Sequence, residues 1–545
     1  MALLAGLRSY GHSLRGLKDY FAHPLSVEQS RAMIRERVTR REELFLDMAR
    51  TYFYASVSPY RALLDLARCT YRDLELMVRQ QGIEPALRAL RASGVYLSFE
   101  EFHGGEARRE GHLVRFSPSD LQASPPVGAL AARSGGTRSA GRWFNLGLVH
   151  LAQQSAPQYA ISLDMLAGPD PPVLIWLLGF PSGAGGATWF SLARIRRPPA
   201  RWFSLTPFPR GLIGCQRHHN LFVRTAHLLA RRAGIPLPLP EFTPTSRVAK
   251  VLTALRAMVQ DHGRCLVLTT PSCAVRLAAE AERRGESLRG AIFLMGGEPL
   301  TPAKAGEIRR AGGAAHNYYA LAEVGSVAAA PCGRPVSADD MHFRSDILAL
   351  ITAPRSLNGD TVPTLMFTSL HPTGPRLLLN VELDDFALVE ERKCGCPWDE
   401  LGCRVHLREV RSFTKLTGEG TTLIGSNCVH VIEHVLPAAF GGMSTDYQLV
   451  EAEDERGLTR LFLLVSPRVG PVDEPAVVHR FAEALRSPQR GARSSLPQIW
   501  AQADSIKVVR RDPVPTALGK LLPFQTLGAS IRGAEARRPQ VPGGG

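Results

Sequence analysis

The stretch from 291 to 332 constrains the fold more than any other part of this sequence. Ala291, Ile292, Phe293, Leu294 and Met295 form an apolar run with the length and composition of a buried strand. Gly296 and Gly297 end that strand with residues that accept positive φ and let a ligand lie against bare backbone. Thr301-Pro302 reads as an N-cap with proline at the first helical position, and the helix predicted over 303–310 closes on Gly312-Gly313. A second run ends in Tyr318, Tyr319 and Glu323, which places aromatic rings and a carboxylate just past a second strand. Ligands in open α/β sheets collect outside the carboxyl ends of the strands, so these two strand ends are expected to form one pocket wall. Glycine pairs after strands are also ordinary turns, so the motifs elsewhere in the chain carry weight.

Runs at 143–153, 159–164, 173–180 and 266–270 read as strands alternating with helical stretches at 221–232 and 247–262. That alternation predicts an α/β chain with a mainly parallel sheet flanked by helices. Residues 1–130 read as mostly helical, with strand signals at 94–102 and 113–116. Short turn-separated runs at 347–352, 364–368 and 376–380 predict a small antiparallel β-barrel or sheet. Signals at 446–451, 459–465, 479–485 and 505–510 suit a small α+β C-terminal domain, and the basic Pro/Gly-rich tail from 529 to 545 is expected to be disordered.

With 545 residues, two or three domains are expected. No apolar run approaches the roughly 20 residues that span a bilayer, and the N-terminus lacks a signal-peptide pattern, so a cytoplasmic protein without a membrane span is expected. The net charge of +15 comes from scattered arginines, which suits handling of polyphosphates and does not predict dedicated nucleic-acid binding. Nine cysteines, an odd number in a long chain, are not a secreted disulfide framework. Adjacent His218 and His219 point in different directions in any regular element, and no role is assigned to them.

Gly296-Gly297-Glu298-Pro299-Leu300, followed by Asn317-x-Tyr319-x-x-x-Glu323, resembles the adenylate-forming ligases, in particular the branch similar to phenylacetate–CoA ligase. The resemblance implies a large domain of several subdomains: a helical region over 1–130 and a core with a small β-barrel over 131–415. A hinge at 416–422 and a small mobile domain over 423–528 would follow. It implies a two-step enzyme that uses ATP and Mg²⁺ to convert a small carboxylic acid into an acyl-adenylate. The acyl group then passes to coenzyme A or to the phosphopantetheine thiol of an acyl carrier protein. An acyl-protein synthetase using the same first step, or a degenerate nucleotide-binding homologue, are the alternatives.

The residues carried over are these. Gly296, Gly297, Glu298 and Pro299 would lie along the adenine; Asn317, Tyr318 and Tyr319 would shape the nucleotide and acyl pocket; Glu323 would bind Mg²⁺. Ser134, Gly135, Gly136 and Thr137 match the family's phosphate loop, whose small and hydroxyl residues suit a cradle for phosphates, although its usual lysine is replaced around Arg142. Asp385 would take the ribose hydroxyls, a task for a group that accepts two hydrogen bonds at once. Lys520, in a terminal motif with Pro515 one place late, would offset the repulsion between a carboxylate and a polyphosphate. Departures from the pattern are Ala320, Ala322 and Glu419.

Cys394-Gly395-Cys396 is tight for a disulfide and reasonable for two thiolates on one tetrahedral metal. The resemblance implies a closed structural zinc site made by Cys332, His342, Cys394 and Cys396, with Cys403 or His406 as possible replacements for one of them. Reduced cysteines without a metal are the plainer reading.

Overall fold

The computed structural model describes residues 15–122, 129–133, 143–180, 183–207, 217–357, 360–412, 415–418, 421–424, 431–443, 446–453, 459–486, 506–514 and 524–526. Among them a six-stranded, all-parallel sheet runs in the order Ala314–Asn317, Ala291–Met295, Cys265–Thr269, Val173–Leu177, Arg201–Ser204, Glu241–Phe242. Its central strands are continuous hydrophobic runs because both faces are covered. Val173, Ile175 and Leu177 point into a core with helices Ala156–Ala167 and Gly183–Arg194, which supply Leu163, Trp189 and Ala193. Leu174 and Trp176 point the other way, into a core with Leu252, Leu277 and Ile308 from helices Val248–His262, Pro271–Arg283 and Pro302–Arg310. Two of these helices begin alike: Thr270 and Thr301 accept N–H bonds from Cys273 and Lys304, each ahead of a first-turn proline.

A seven-stranded antiparallel sheet follows, in the order Tyr319–Leu321, Ser326–Pro331, Met341–Phe343, Val405–Ser412, Val381–Glu391, Asp360–Ser369, Leu348–Leu357. It packs on the N-terminal helices through a third core containing Phe45, Leu64, Leu87, Leu350, Phe367 and Leu379. The Tyr319 hydroxyl nevertheless bonds the carboxylate of Asp385, four strands away. In a flat sheet with strands about 4.8 Å apart those residues would be separated by roughly 19 Å. The sheet therefore coils towards closure, and that curl is the barrel character anticipated from the short strands.

Four sequence expectations are corrected. The strand expected over 143–153 stops at Gly147, and the chain is helical from Leu148 onwards. Residues 159–164 lie inside helix Ala156–Ala167, whose first eight residues are all buried, so no 3.6-residue polar face betrayed it. The predicted strand at 94–102 gives way to helix Phe99–Gly104, fixed by a capping box in which Ser98 Oγ accepts from Glu101 N at 3.2 Å and Glu101 accepts from Ser98 N at 2.9 Å. Residues 376–380 are not a strand: Leu377 N donates to Leu121 O, Asn380 N to Thr368 Oγ1, and Asn380 takes φ +49°.

The C-terminal part carries a four-stranded sheet, Ile506–Arg510, Thr459–Val465, Tyr447–Glu453 and Phe524–Thr526, with helix Glu474–Arg486. At the expected hinge, Lys415–Gly418 and Thr421–Ile424 form an antiparallel pair, and Glu419 lies outside the described residues. The tail from 529 lies outside them too. No helix among the described residues is long and apolar enough to cross a membrane.

Candidate functional site

Strands Ala291–Met295 and Ala314–Asn317 pair in parallel with Met295 opposite Asn317, so both release the chain at the same edge of the sheet. Tyr318 N donates to Met295 O at 2.8 Å, and Gly296 N to Thr269 O at 3.2 Å. A Cβ on Gly296 would stand 2.4 Å from the Tyr318 ring. Only glycine fits there. The ring has nowhere to go, because it is buried, its hydroxyl engages Tyr159, and Tyr159 in turn bonds Thr188 at 2.8 Å. Gly296→Ala is therefore expected to cost about 1–3 kcal/mol by overpacking. A thermal melt reads the loss, and an unshifted midpoint would show that Tyr318 can move.

Glu298 turns inward. Its carboxylate accepts from Ser272 N at 3.1 Å and Ser272 Oγ at 2.6 Å, in the first turn of the preceding helix Pro271–Arg283, and pairs with Lys304 Nζ at 3.2 Å with both side chains fully buried. Lys304 also reaches Pro299 O at 3.3 Å. What Glu298 and Pro299 present to a ligand is backbone. Lys304→Met leaves a buried carboxylate short of its partner and is expected to destabilise the fold by about 3–5 kcal/mol. Denaturant unfolding checks this, with a midpoint equal to wild type as the contrary result.

Glu323 stands at the tip of a tight hairpin between Tyr319–Leu321 and Ser326–Pro331, with Leu321 opposite Ser326. Gly325 closes the turn at φ +72°, its N–H on Leu321 O at 2.8 Å. Arg376 N donates to Glu323 O at 3.1 Å. Beside the hairpin, the buried Asp385 carboxylate accepts from the Tyr319 and Ser412 hydroxyls. Burial, then Asp385 and Glu323, hold the Tyr319 hydroxyl well above its ordinary pKa, so it stays a donor. Asp384 sits at φ +71°, a strained conformation for a non-glycine residue, and is fully buried within 3.4 Å of Arg355. The Asn317 Oδ1 is buried without a hydrogen-bond partner among the described residues.

The Gly296–Tyr318 contact and the Tyr319–Asp385 bond thus link Gly296, Tyr318, Tyr319 and Asp385, with Asn317 paired to Met295 just before them and Glu323 at the tip of the hairpin that follows. Ser134, Gly135, Gly136, Thr137 and Lys520 lie outside the described residues. The strands flanking the first four pair with Arg133 opposite Trp143. On the approach to Lys520, Gln448 holds Val514 by two bonds of 2.7 and 3.1 Å. Ser412 and the strained conformation of Asp384 escaped the sequence reading, since neither conformation nor long-range pairing is written in local composition.

The cysteine–histidine cluster assembles as one site. Cys332 Sγ and Cys394 Sγ are 3.8 Å apart, and His342 Nε2 lies 3.4 Å from Cys394 Sγ and 3.1 Å from Cys396 Sγ. All four donor atoms fall within 4.8 Å of one another. A tetrahedral zinc with Zn–S bonds of about 2.3 Å has S···S edges of about 3.8 Å, so the donor set fits that ion in chemistry and spacing. His342 Nδ1 donates to Cys403 O at 2.6 Å, which leaves the Nε2 lone pair facing the thiols. Cys403 thus contributes a carbonyl, not a thiolate. His406 is engaged with Asp340 at 2.7 Å.

No protein-family model and no curated protein matches the sequence. Among solved structures, 2-hydroxyisobutyryl-CoA ligase in complex with 2-HIB-AMP and CoA, in its thioesterification state, aligns over 95% of this chain and 93% of its own at 15% identity, with a TM-score of 0.53. The chain shares the fold of that ligase. An amide bond synthetase from Marinactinospora thermotolerans gives 12% identity over 94% of this chain and 98% of its own, at a TM-score of 0.30. An anthranilate CoA ligase in complex with anthranoyl-AMP gives 10% over 85% and 79%, at 0.33. The fold assignment rests on the first of the three. At 15% identity what is shared with it is architecture, a mixed α/β fold.

Proposed function

We propose that this chain is an ATP-dependent carboxylate ligase of the adenylate-forming kind, which makes an acyl-adenylate and passes the acyl group to a thiol, with coenzyme A as the acceptor. The observation that carries the reading is the junction of the two sheets, where the Gly296–Tyr318 contact at the end of the parallel sheet is followed directly by Tyr319, bonded to Asp385, and by the Glu323 hairpin of the antiparallel sheet. In the first step a carboxylate oxygen of the acid bonds the α-phosphorus of ATP, the bond to the β-phosphate oxygen breaks, and pyrophosphate leaves. In the second, a thiol sulfur bonds the acyl carbon, its proton passes to solvent, and AMP departs.

Asp385 would exchange its two hydroxyl donors for those of the ribose. Backbone at Gly296–Pro299 would line the adenine, and Ser134–Thr137 the phosphates. Glu323 would hold Mg²⁺, which supplies positive charge against the phosphoryl oxygens. Lys520 would reach the reacting carboxylate and α-phosphate when the small domain closes about residues 416–422. Cys332, His342, Cys394 and Cys396 would hold a structural zinc that ties the end of Ser326–Pro331 and strand Met341–Phe343 to the loop leading into Val405–Ser412.

Screening aryl and fatty acids for ATP–pyrophosphate exchange tests the reading, followed by analysis of thioester products with coenzyme A and with a carrier-protein thiol. Exchange dependent on one class of acid is the expected result. Nucleotide binding without exchange for any acid would point instead to a degenerate homologue, for which Ala320 and Ala322 speak.

A further inference from the structure

Behind the Glu323 hairpin lies a buried polar network that the proposed reaction does not use. The helical run from 148 to 167 widens into a π turn at Leu151–Ser155. The cause is legible at Pro157: it has no N–H, so Gln153 O lacks the donor that an α-helix would provide four residues on. Arg37 Nη1 takes that carbonyl at 2.6 Å, and Arg344 Nη1 takes Gln154 O at 3.3 Å. Both guanidinium groups neighbour the fully buried carboxylate of Asp346, Arg344 through two bonds of 2.6 and 2.8 Å and Arg37 at 3.9 Å.

Two side chains leave this turn towards the hairpin. His150 Nε2 lies 3.0 Å from Gly325 O, and Gln154 Nε2 donates to Thr373 Oγ1 at 2.9 Å. Thr373 belongs to the loop whose Arg376 N holds Glu323 O. Main chain is thus anchored at Glu323 itself and two residues beyond it. Burial, outweighing the carbonyls of Gly325 and Thr373, lowers His150 to a pKa of about 4, so the ring is neutral. The 3.0 Å contact to Gly325 O assigns its one proton to Nε2, while Nδ1 meets no partner at hydrogen-bond distance among the described residues. π turns recur at functional sites, and this one sets the donor that fixes the hairpin tip.

We propose that His150 is a positioning residue for Glu323, acting through Gly325 to keep the carboxylate where it binds the metal of the Mg–ATP complex. The inference rests on the reading of Glu323 given above. Partners that orient metal ligands typically contribute 10- to 100-fold to metal affinity.

The test compares the dissociation constant of ATP in Mg²⁺ with that in EDTA, by calorimetry on the full chain. His150→Leu is expected to lose about 10-fold or more of the Mg²⁺-dependent strengthening while its EDTA value stays at wild type. His150→Gln, whose amide reaches the Nε2 position, is expected to keep most of it. If His150→Leu does not fold, His150→Asn, too short to reach Gly325 O, is read in the same way. A folded His150→Leu or His150→Asn protein with wild-type strengthening overturns the proposal, as does equal loss in the glutamine variant. If wild type itself shows no strengthening by Mg²⁺, the reading of Glu323 falls first, and this result separates the two failures.

Discussion

Glu323→Gln and Lys520→Ala are each expected to lower acyl-adenylate formation by about a hundredfold to a thousandfold, the usual effect of removing one group that meets charge developing in a transition state. The glutamine keeps the shape of the hairpin tip, whose backbone is held by Gly325, Arg376 and Leu321 and not by the Glu323 side chain. Its loss is therefore chemical, and raising Mg²⁺ should recover part of it. Lys520→Ala should not respond to Mg²⁺. If Lys520 acts only when the small domain closes over the phosphates, thioester formation from preformed acyl-adenylate should remain within a few-fold of wild type. Equal loss in both half-reactions would place Lys520 outside the adenylating step.

Zinc removal carries the other large effect. Four donors within 4.8 Å of one another, with His342 steered by Cys403 O, would make a closed centre whose binding energy, with zinc bound, would belong to the fold. Cys396→Ser is expected to abolish stoichiometric zinc and, at about 2–4 °C per kcal/mol for domains of this kind, to lower Tm by on the order of 10 °C. Cys403→Ser should retain the metal, because only its carbonyl is used. One zinc per chain in wild type, by elemental analysis, is the expected baseline. Metal-free protein whose melting ignores chelators would leave the four residues as reduced cysteines around a buried histidine.

Much of this site was legible because its signals are local. Gly296-Gly297 after an apolar run, Thr301-Pro302 ahead of a helix, and Cys-x-Cys each carry a conformational demand in two or three residues, and the structure meets all three. The illegible parts depend on distant partners. Nothing around Gln153 hints at Arg37, and a histidine within the apolar Leu146–Leu151 neighbourhood gives no sign of Gly325. Helix Ala156–Ala167 hid because complete burial erases amphipathic periodicity. Glu298 shows the converse: a motif residue whose side chain serves the scaffold through Ser272 and Lys304.

In the seven-stranded sheet the strand latest in sequence, Val405–Ser412, sits in the middle, between Met341–Phe343 and Val381–Glu391. Until that strand is made, a chain emerging from the ribosome could pair only two separate half-sheets, each with an open edge able to recruit a foreign strand. The final strand zips them together and brings Ser412 to Asp385 as it does so. Completion of this sheet would thus wait on its most sequence-distant pairing, that of Met341 with Leu407, which is expected to be a slow step. Translation halted just short of that strand should yield a sticky, chaperone-dependent intermediate with no affinity for nucleotide.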